Sequence, residues 1–257
     1  MKVTLNSKSK IDTFVAVFQL LKNCSNVVKL DFLADKLYIQ GMDKSHVCLF
    51  YVIIQSTWFQ SYENDKNVKI VLDSLALYTI LSKYVENNCV ILTNKNTDEY
   101  MHIEMLSDNV KGEYNRYFQL PILDIEEDTL DIPDTDFDAD FSLKTKQLHD
   151  LTSQLILFGD TLDITCNENS IDLNTSSEHG KMNVKIPIDD LNEFSISEGE
   201  ELQLSFSLNY IHKMCLTTKL SKDIQVSIKN DYPIRLTYDL GEESHAVFFV
   251  APKVQTD

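Results

Sequence analysis

The chain has 257 residues, 43% of them hydrophobic and 10% aromatic, with a formal net charge of −17. That content is too rich and too evenly spread for a disordered chain, and the length suits one large domain or two ordinary ones. The longest apolar runs, such as residues 14–21, fall short of a membrane span, and so acidic a chain is at first sight a poor binder of nucleic acid.

The N-terminus, Met1-Lys2-Val3-Thr4-Leu5, alternates like a strand and lacks a signal-peptide core, so the mature protein is expected to start here. An amphipathic helix is expected over 8–24, with Ile11, Phe14, Phe18 and Leu21 on one stripe and Ser7 or Ser9 as its cap. Strands follow over 27–32, 36–40, 48–54 and 67–72. A short helix then begins at Asp73, with Leu77, Ile80 and Leu81 facing inward, and strands resume over 89–93 and 100–105.

Residues 120–138 hold eight carboxylates, no Lys or Arg, and two prolines. Such a run reads as an extended connector. Leu123, Ile125, Leu130 and Ile132 are interleaved with its charges, so it is expected to dock or to present a docking strip.

A third helix is expected over 144–158, with Leu148, Leu151 and Leu155 apolar and Gly159 as its stop. Strands are expected over 162–166, 170–174, 182–186 and 202–206. A fourth helix is expected over 207–222, capped by Ser207 and led by Leu208 and Ile211. Strands over 224–228, 234–238 and 246–250 end the chain.

Helix, strands, short helix, strands thus occurs twice. Ser74-Leu75 corresponds to Ser207-Leu208 at an offset of 133, and Leu37 and Ile39 to Ile171 and Leu173 at 134, nearly one spacing, the mark of a duplicated domain. The expected division is an N-terminal domain over 1–119, the connector over 120–138 and a C-terminal domain over 139–257, in an α+β fold. The five cysteines are scattered and odd in number, and the six histidines form no ligand pair. That pattern points to an intracellular reducing compartment and to neither a disulfide framework, a metal site nor a cofactor. No phosphate-binding loop or nucleophile motif points to an enzyme. The connector carboxylates Asp124, Glu126 and Asp128 alternate in direction along an extended run, which argues against a two-metal nuclease.

The charge is segregated. The four helix windows hold nine lysines and three aspartates, Lys8, Lys10, Lys22, Lys83, Lys144, Lys146, Lys213, Lys219 and Lys222 among them, with His149 and His212 nearby. Lysine decorates any solvated helix, yet four non-negative helices in so acidic a chain describe a cationic track able to meet phosphates without reading bases.

Residues 39–49, Ile-Gln-Gly-Met-Asp-Lys-Ser-His-Val-Cys-Leu, resemble a strand-and-loop motif of the proliferating-cell-nuclear-antigen clamps of eukaryotes, archaea and some large DNA viruses. Residues 248–254, Phe-Phe-Val-Ala-Pro-Lys-Val, are similar to that family's tail. Leu130-Asp131-Ile132-Pro133-Asp134 resembles its connector element, and Phe158-Gly159-Asp160 its turn after the third helix. The likeness runs in register along the whole chain. It implies a non-enzymatic DNA sliding clamp and polymerase processivity factor: a homotrimeric ring with helices lining the pore around duplex DNA and sheets outside.

The resemblance further implies a partner-peptide pocket of Met42, His46, Val47, Leu49, Leu130, Ile132, Pro233, Phe249 and Ala251. DNA polymerase, clamp loader, flap nuclease and ligase type proteins would dock there. Lys10, Lys22, Lys83, Lys144, Lys146, His149, Lys213 and Lys219 are expected to face DNA. Subunits are expected to pair the edge around 111–118, with Tyr114, against that around 180–186, with Met182. The implied location is the nucleus, or a cytoplasmic viral factory for a viral member, and no membrane is involved. The sequence departs from the family pattern at Asp12-Thr13, Thr79 and Ser82, where DNA-facing lysines are usual, and at Asn167-Glu168-Asn169, where a modifiable lysine is absent. These departures, with abundant Asn and scarce Gly, favour a viral or protist source. The alternatives within the class are a subunit of a heterotrimeric checkpoint-type clamp and a monomeric viral processivity factor of clamp fold.

Overall fold

The computed structural model describes residues 1–64, 66–95, 98–107, 112–125, 130–132 and 135–253. These form two compact units: Met1–Asp43 with Phe50–Asp131 and Leu240–Ala246, and Lys44–Leu49 with Ile132–Asp239 and the chain from Val247 onward.

The chain runs through β1 (Lys2–Leu5), α1 (Lys8–Cys24), β2 (Val27–Phe32), β3 (Lys36–Met42), β4 (Cys48–Gln55), a 3-10 turn (Ser56–Trp58), β5 (Ser61–Glu63), β6 (Val68–Asp73), α2 (Ser74–Leu81), β7 (Asn88–Thr93), β8 (Tyr100–Ser107) and β9 (Arg116–Pro121). The same order of strands, helices and 3-10 turn then recurs: β10 (Ala139–Lys144), α3 (Thr145–Leu155), β11 (Thr161–Cys166), β12 (Ser170–Ser177), β13 (Gly180–Pro187), a 3-10 turn (Ile188–Asp190), β14 (Glu193–Ile196), β15 (Leu202–Ser207), α4 (Leu208–Met214), β16 (Asp223–Ile228), β17 (Ile234–Gly241) and β18 (Ser244–Val250). The internal repeat therefore extends to every element.

In the first unit α1 forms because its apolar residues recur every three or four positions. Ile11, Phe14, Val17, Phe18, Leu20 and Leu21 are all buried, and the Phe14 and Phe18 rings meet edge to face at 5.0 Å. Ser7 is its N-cap residue but makes no side-chain capping bond. The short α2 is capped by Asp73, whose Oδ1 accepts from the Ala76 N–H at 2.7 Å. It packs beside α1, although Ile80 is only half-buried. One sheet has the order β5-β1-β7-β8-β9, and β4, β3, β2 and β6 lie in that order in another.

In the second unit α3 packs beside α4. The strand orders are β13-β12-β11-β15 and β14-β10-β16-β17-β18. β5, β10 and β14 were not expected as strands; β5 and β14 are only three and four residues long, whereas β10 does alternate Ala139, Phe141 and Leu143 with Asp140, Ser142 and Lys144 and was overlooked.

Three sequence expectations are corrected here. The fourth helix stops at Met214 and does not reach Lys222. Its closing carbonyls are taken by tertiary donors: Tyr238 Oη–H donates to Met214 O at 2.8 Å, and His149 Nδ1 bonds Cys215 O at 2.8 Å. Thr217 Oγ1 then accepts from the Lys219 N–H at 3.2 Å, which turns the chain away from the helix. The third helix ends at Leu155, and Leu151 is half-buried. Gly159 does not terminate it through a left-handed φ; a Cβ there would come within 2.5 Å of Thr175 Oγ1 and 2.9 Å of Ser176 O, so close approach of β12 demands the glycine.

Candidate functional site

The expected DNA-facing cations differ in how much charge they have to offer. In the first unit, Lys10 Nζ donates to Trp58 O at 2.7 Å and to Glu242 Oε1 at 2.6 Å, and lies 5.4 Å from the Trp58 ring. Trp58 is itself buried and donates to Leu240 O. Lys10 is thereby a structural tie. Lys22 bridges the two helices, its ammonium 5.0 Å from the Tyr78 ring. Lys83 lies just past α2 and is exposed; Arg116 Nη1 donates to its carbonyl at 2.7 Å.

In the second unit Lys144, at the foot of α3, pairs with Asp223 at 2.8 Å, which holds that carboxyl below the usual carboxylate range. Lys146 and Lys213 are exposed on α3 and α4, with Lys213 5.4 Å from the Tyr210 ring. Lys219 is exposed but lies past the end of α4. His149 and His212 stack at 6.4 Å with an interplanar angle of 20°. His212 Nδ1 lies 3.3 Å from Thr152 Oγ1, whose hydroxyl donates to His149 O. Burial, and then His149, push the His212 imidazole pKa below its ordinary value. The helices as formed hold five lysines and two aspartates, a net positive set in an acidic chain.

The expected partner-pocket residues divide between the units. In the first, Met42 is half-buried at the end of β3. Two positions before it, Gln40 is buried, and its side-chain amide pairs with the backbone of half-buried Leu130: Nε2 donates to Leu130 O at 2.7 Å and Oε1 accepts from Leu130 N at 2.9 Å. The connector begins anchored by Leu123 N–H on Val71 O at 2.9 Å. Gly41 is required where it stands, because a Cβ would fall 2.5 Å from Phe50 Cζ.

In the second unit His46 is exposed with φ 58°, a left-handed position for a non-glycine residue. Val47 and Leu49 are half-buried, and Val47 O accepts from the Ala251 N–H at 2.8 Å. The tail is pinned further along by Lys253 N–H on Ser205 O at 2.7 Å and by a Phe206–Pro252 bridge. Lys253 Nζ also bonds Asp160 and Thr161. Phe249 is buried, Pro233 and Ala251 are half-buried, and Ile132 is half-buried. Glu126, Glu127 and Asp128 of the connector, with Lys111 and Val254, lie outside the described residues.

Two sheets end on strands with little burial. β9 closes one sheet of the first unit and β13 one sheet of the second. Tyr114, just before β9, is 78% exposed, and Tyr117, on β9 itself, 66%. Met182 is half-buried on β13. Beside β13 lies a cavity of about 290 Å³ whose walls include Leu143, Gln147, Leu151, Lys185 and Ile186. Sequence reasoning missed Gln40 as a site residue, although it stands inside the 39–49 motif.

A doubled strand-helix-strand unit, mostly antiparallel sheet with four helices that carry a net positive charge, is the architecture of a DNA clamp. Residues 4–129 match the model of the proliferating cell nuclear antigen N-terminal domain, and residues 131–253 that of the C-terminal domain. Among curated proteins, the proliferating cell nuclear antigen of Chaetomium thermophilum is 24% identical over 247 residues, 94% of this chain and 93% of that protein. The chain belongs to the proliferating cell nuclear antigen family. That family is one of non-enzymatic clamps, and membership carries a DNA-binding, sliding-clamp and processivity role in replication, with DNA and replication proteins as partners and assembly into oligomers.

Proposed function

We propose that this chain closes with two identical copies into a ring around duplex DNA. In this reading it recruits DNA polymerase, clamp loader, flap nuclease and ligase type proteins through an apolar pocket for short peptides. The observation that carries the reading is that, among the described residues, β9 of six residues and β13 of eight each end a sheet and are little buried. Unpaired edges of that length invite another strand, and two different edges on one chain pair head to tail, which closes a ring when the rotation allows. The exposed Tyr114 and Tyr117 rings and the partly apolar cavity beside β13 are complementary in kind.

Exposed Lys83, Lys146 and Lys213 support loose, sequence-independent contact with phosphates. The half-buried state of Met42 and Leu130 in the first unit and of Val47, Leu49, Ile132, Pro233 and Ala251 in the second leaves apolar surface in reach of a partner and supports the peptide-pocket reading; Phe249 is buried. His46 would stand at its rim. The work of such a clamp is done in the nucleus, or in a viral factory if the source is viral.

Molecular mass in solution across a concentration series tests the ring; a wild type that stays monomeric at micromolar concentration rules it out. Titration with a basic, aromatic-ended peptide tests the pocket. Leu130→Ala should weaken that peptide by about 2 kcal/mol at every ionic strength, as truncation of a buried anchor does. An unchanged affinity would show that the pocket lies elsewhere.

A further inference from the structure

Of the 23 basic side chains only two are arginines, and one of them, Arg235, lies where no expected interface uses it. The β10, β16 and β17 registers put Asp140 opposite Ser227 and Ser227 opposite Arg235, one row across three strands. Ser227 is fully buried. Its hydroxyl donates to Asp140 Oδ1 at 2.5 Å and accepts from Arg235 Nε at 3.2 Å and Nη2 at 3.0 Å. Arg235 Nη2 also lies 3.7 Å from Asp140 Oδ1.

The guanidinium is thus held through two donors, and it lies over a ring of the connector: Arg235 Cζ is 4.1 Å from the Phe137 ring centroid. Tyr232 meets the same ring edge-on at 5.8 Å. The turn between β16 and β17 completes the seat. Lys229 Nζ donates to Asp136 O, Asn230 N–H to Asp138 Oδ2, and Asp138 N–H to Ile228 O, each at 3.1 Å.

We infer that Arg235 and Phe137 form a latch that fixes the C-terminal end of the connector and thereby positions Ile132 and Pro233 for the partner peptide. The inference rests on the peptide-binding reading above. Phe137 stands five residues after Ile132, and its ring partner Tyr232 directly precedes Pro233, so one ring couples the two segments that supply those residues. Arginine is required because lysine supplies the charge without the two-pronged donor or the stacking plane. Both are positioning residues; neither is assigned contact with the peptide.

The test compares wild type with Arg235→Lys, Phe137→Leu and Phe137→Tyr in the full chain. Amide exchange over residues 135–139 reads the latch, peptide titration reads the pocket, and solution mass reads the assembly. Arg235→Lys and Phe137→Leu should each speed exchange of that segment and weaken the peptide by about fivefold, the scale of one partly exposed cation–π contact. Phe137→Tyr, which keeps the ring, should behave as wild type, and the mass should not change. Unchanged exchange in Arg235→Lys and Phe137→Leu overturns the latch. Faster exchange with unchanged affinity overturns its role in positioning the pocket. A wild type that does not bind the peptide overturns the pocket reading instead, and exchange alone then judges the latch.

Discussion

The Gln40 side chain makes both backbone hydrogen bonds of Leu130, donating to its carbonyl and accepting from its N–H, as a neighbouring strand would. One buried side chain thus satisfies a connector residue that lies outside the strands. Gln40→Ala should strip both bonds and leave Leu130 to water or to disorder. The expected cost is about 1–3 kcal/mol of local ordering, since each bond contributes roughly 0.5–1.5 kcal/mol. Faster exchange of the Leu130 amide, with the global unfolding midpoint nearly unchanged, is the result to look for. Wild-type exchange in Gln40→Ala would mean that other contacts hold the connector.

Charge reversal at exposed helix lysines should separate from reversal at tied ones. Lys146→Glu with Lys213→Glu should lower clamp-stimulated DNA synthesis and flatten its salt dependence, because phosphate contacts release counterions. Folding should not change. Lys10→Glu, by contrast, faces Glu242 and abandons the Trp58 carbonyl, so its first effect should be on the unfolding midpoint. Full activity of the double variant in low salt would show that those lysines merely solvate their helices.

Assembly should depend on the two edges. Tyr114→Ala removes an exposed ring beside β9, and Met182→Arg puts a charge on β13. Both should give folded monomers by sedimentation, with wild-type circular dichroism. A variant that keeps the wild-type mass would exclude its residue from the interface.

Acid should weaken the second unit through His212. Its folded pKa lies below the unfolded value of about 6.5, because burial and then His149 oppose the charged ring. The unfolded chain therefore binds a proton that the folded chain resists, and stability rises with pH across that interval. The contribution is present above pH about 6.5 and is lost as pH falls through the folded pKa. Thermal midpoints of wild type should drop over this range, and those of His212→Gln should drop less. Parallel pH profiles for the two proteins would exclude His212 as the source.

How far the sequence determines this protein depends on whether a feature is periodic or converged. The stripe of Ile11, Phe14, Phe18 and Leu21, the strands and the internal repeat were legible because local spacing alone selects the buried face. The 39–49 and 248–254 motifs were legible as words, and with them the family. What the words do in space was not. Lys10 and Lys146 are alike in sequence, yet one is tied to Trp58 and Glu242 while the other stands exposed. The fourth helix ends at Met214 because Tyr238 and His149, distant in sequence, take its last carbonyls. Gln40 finds Leu130 ninety positions away, and Arg235 finds Phe137 only because three strands align in register. Propensity and period are properties of neighbouring residues, whereas the satisfaction of a particular donor or charge is settled by whichever residue tertiary packing brings within hydrogen-bonding distance.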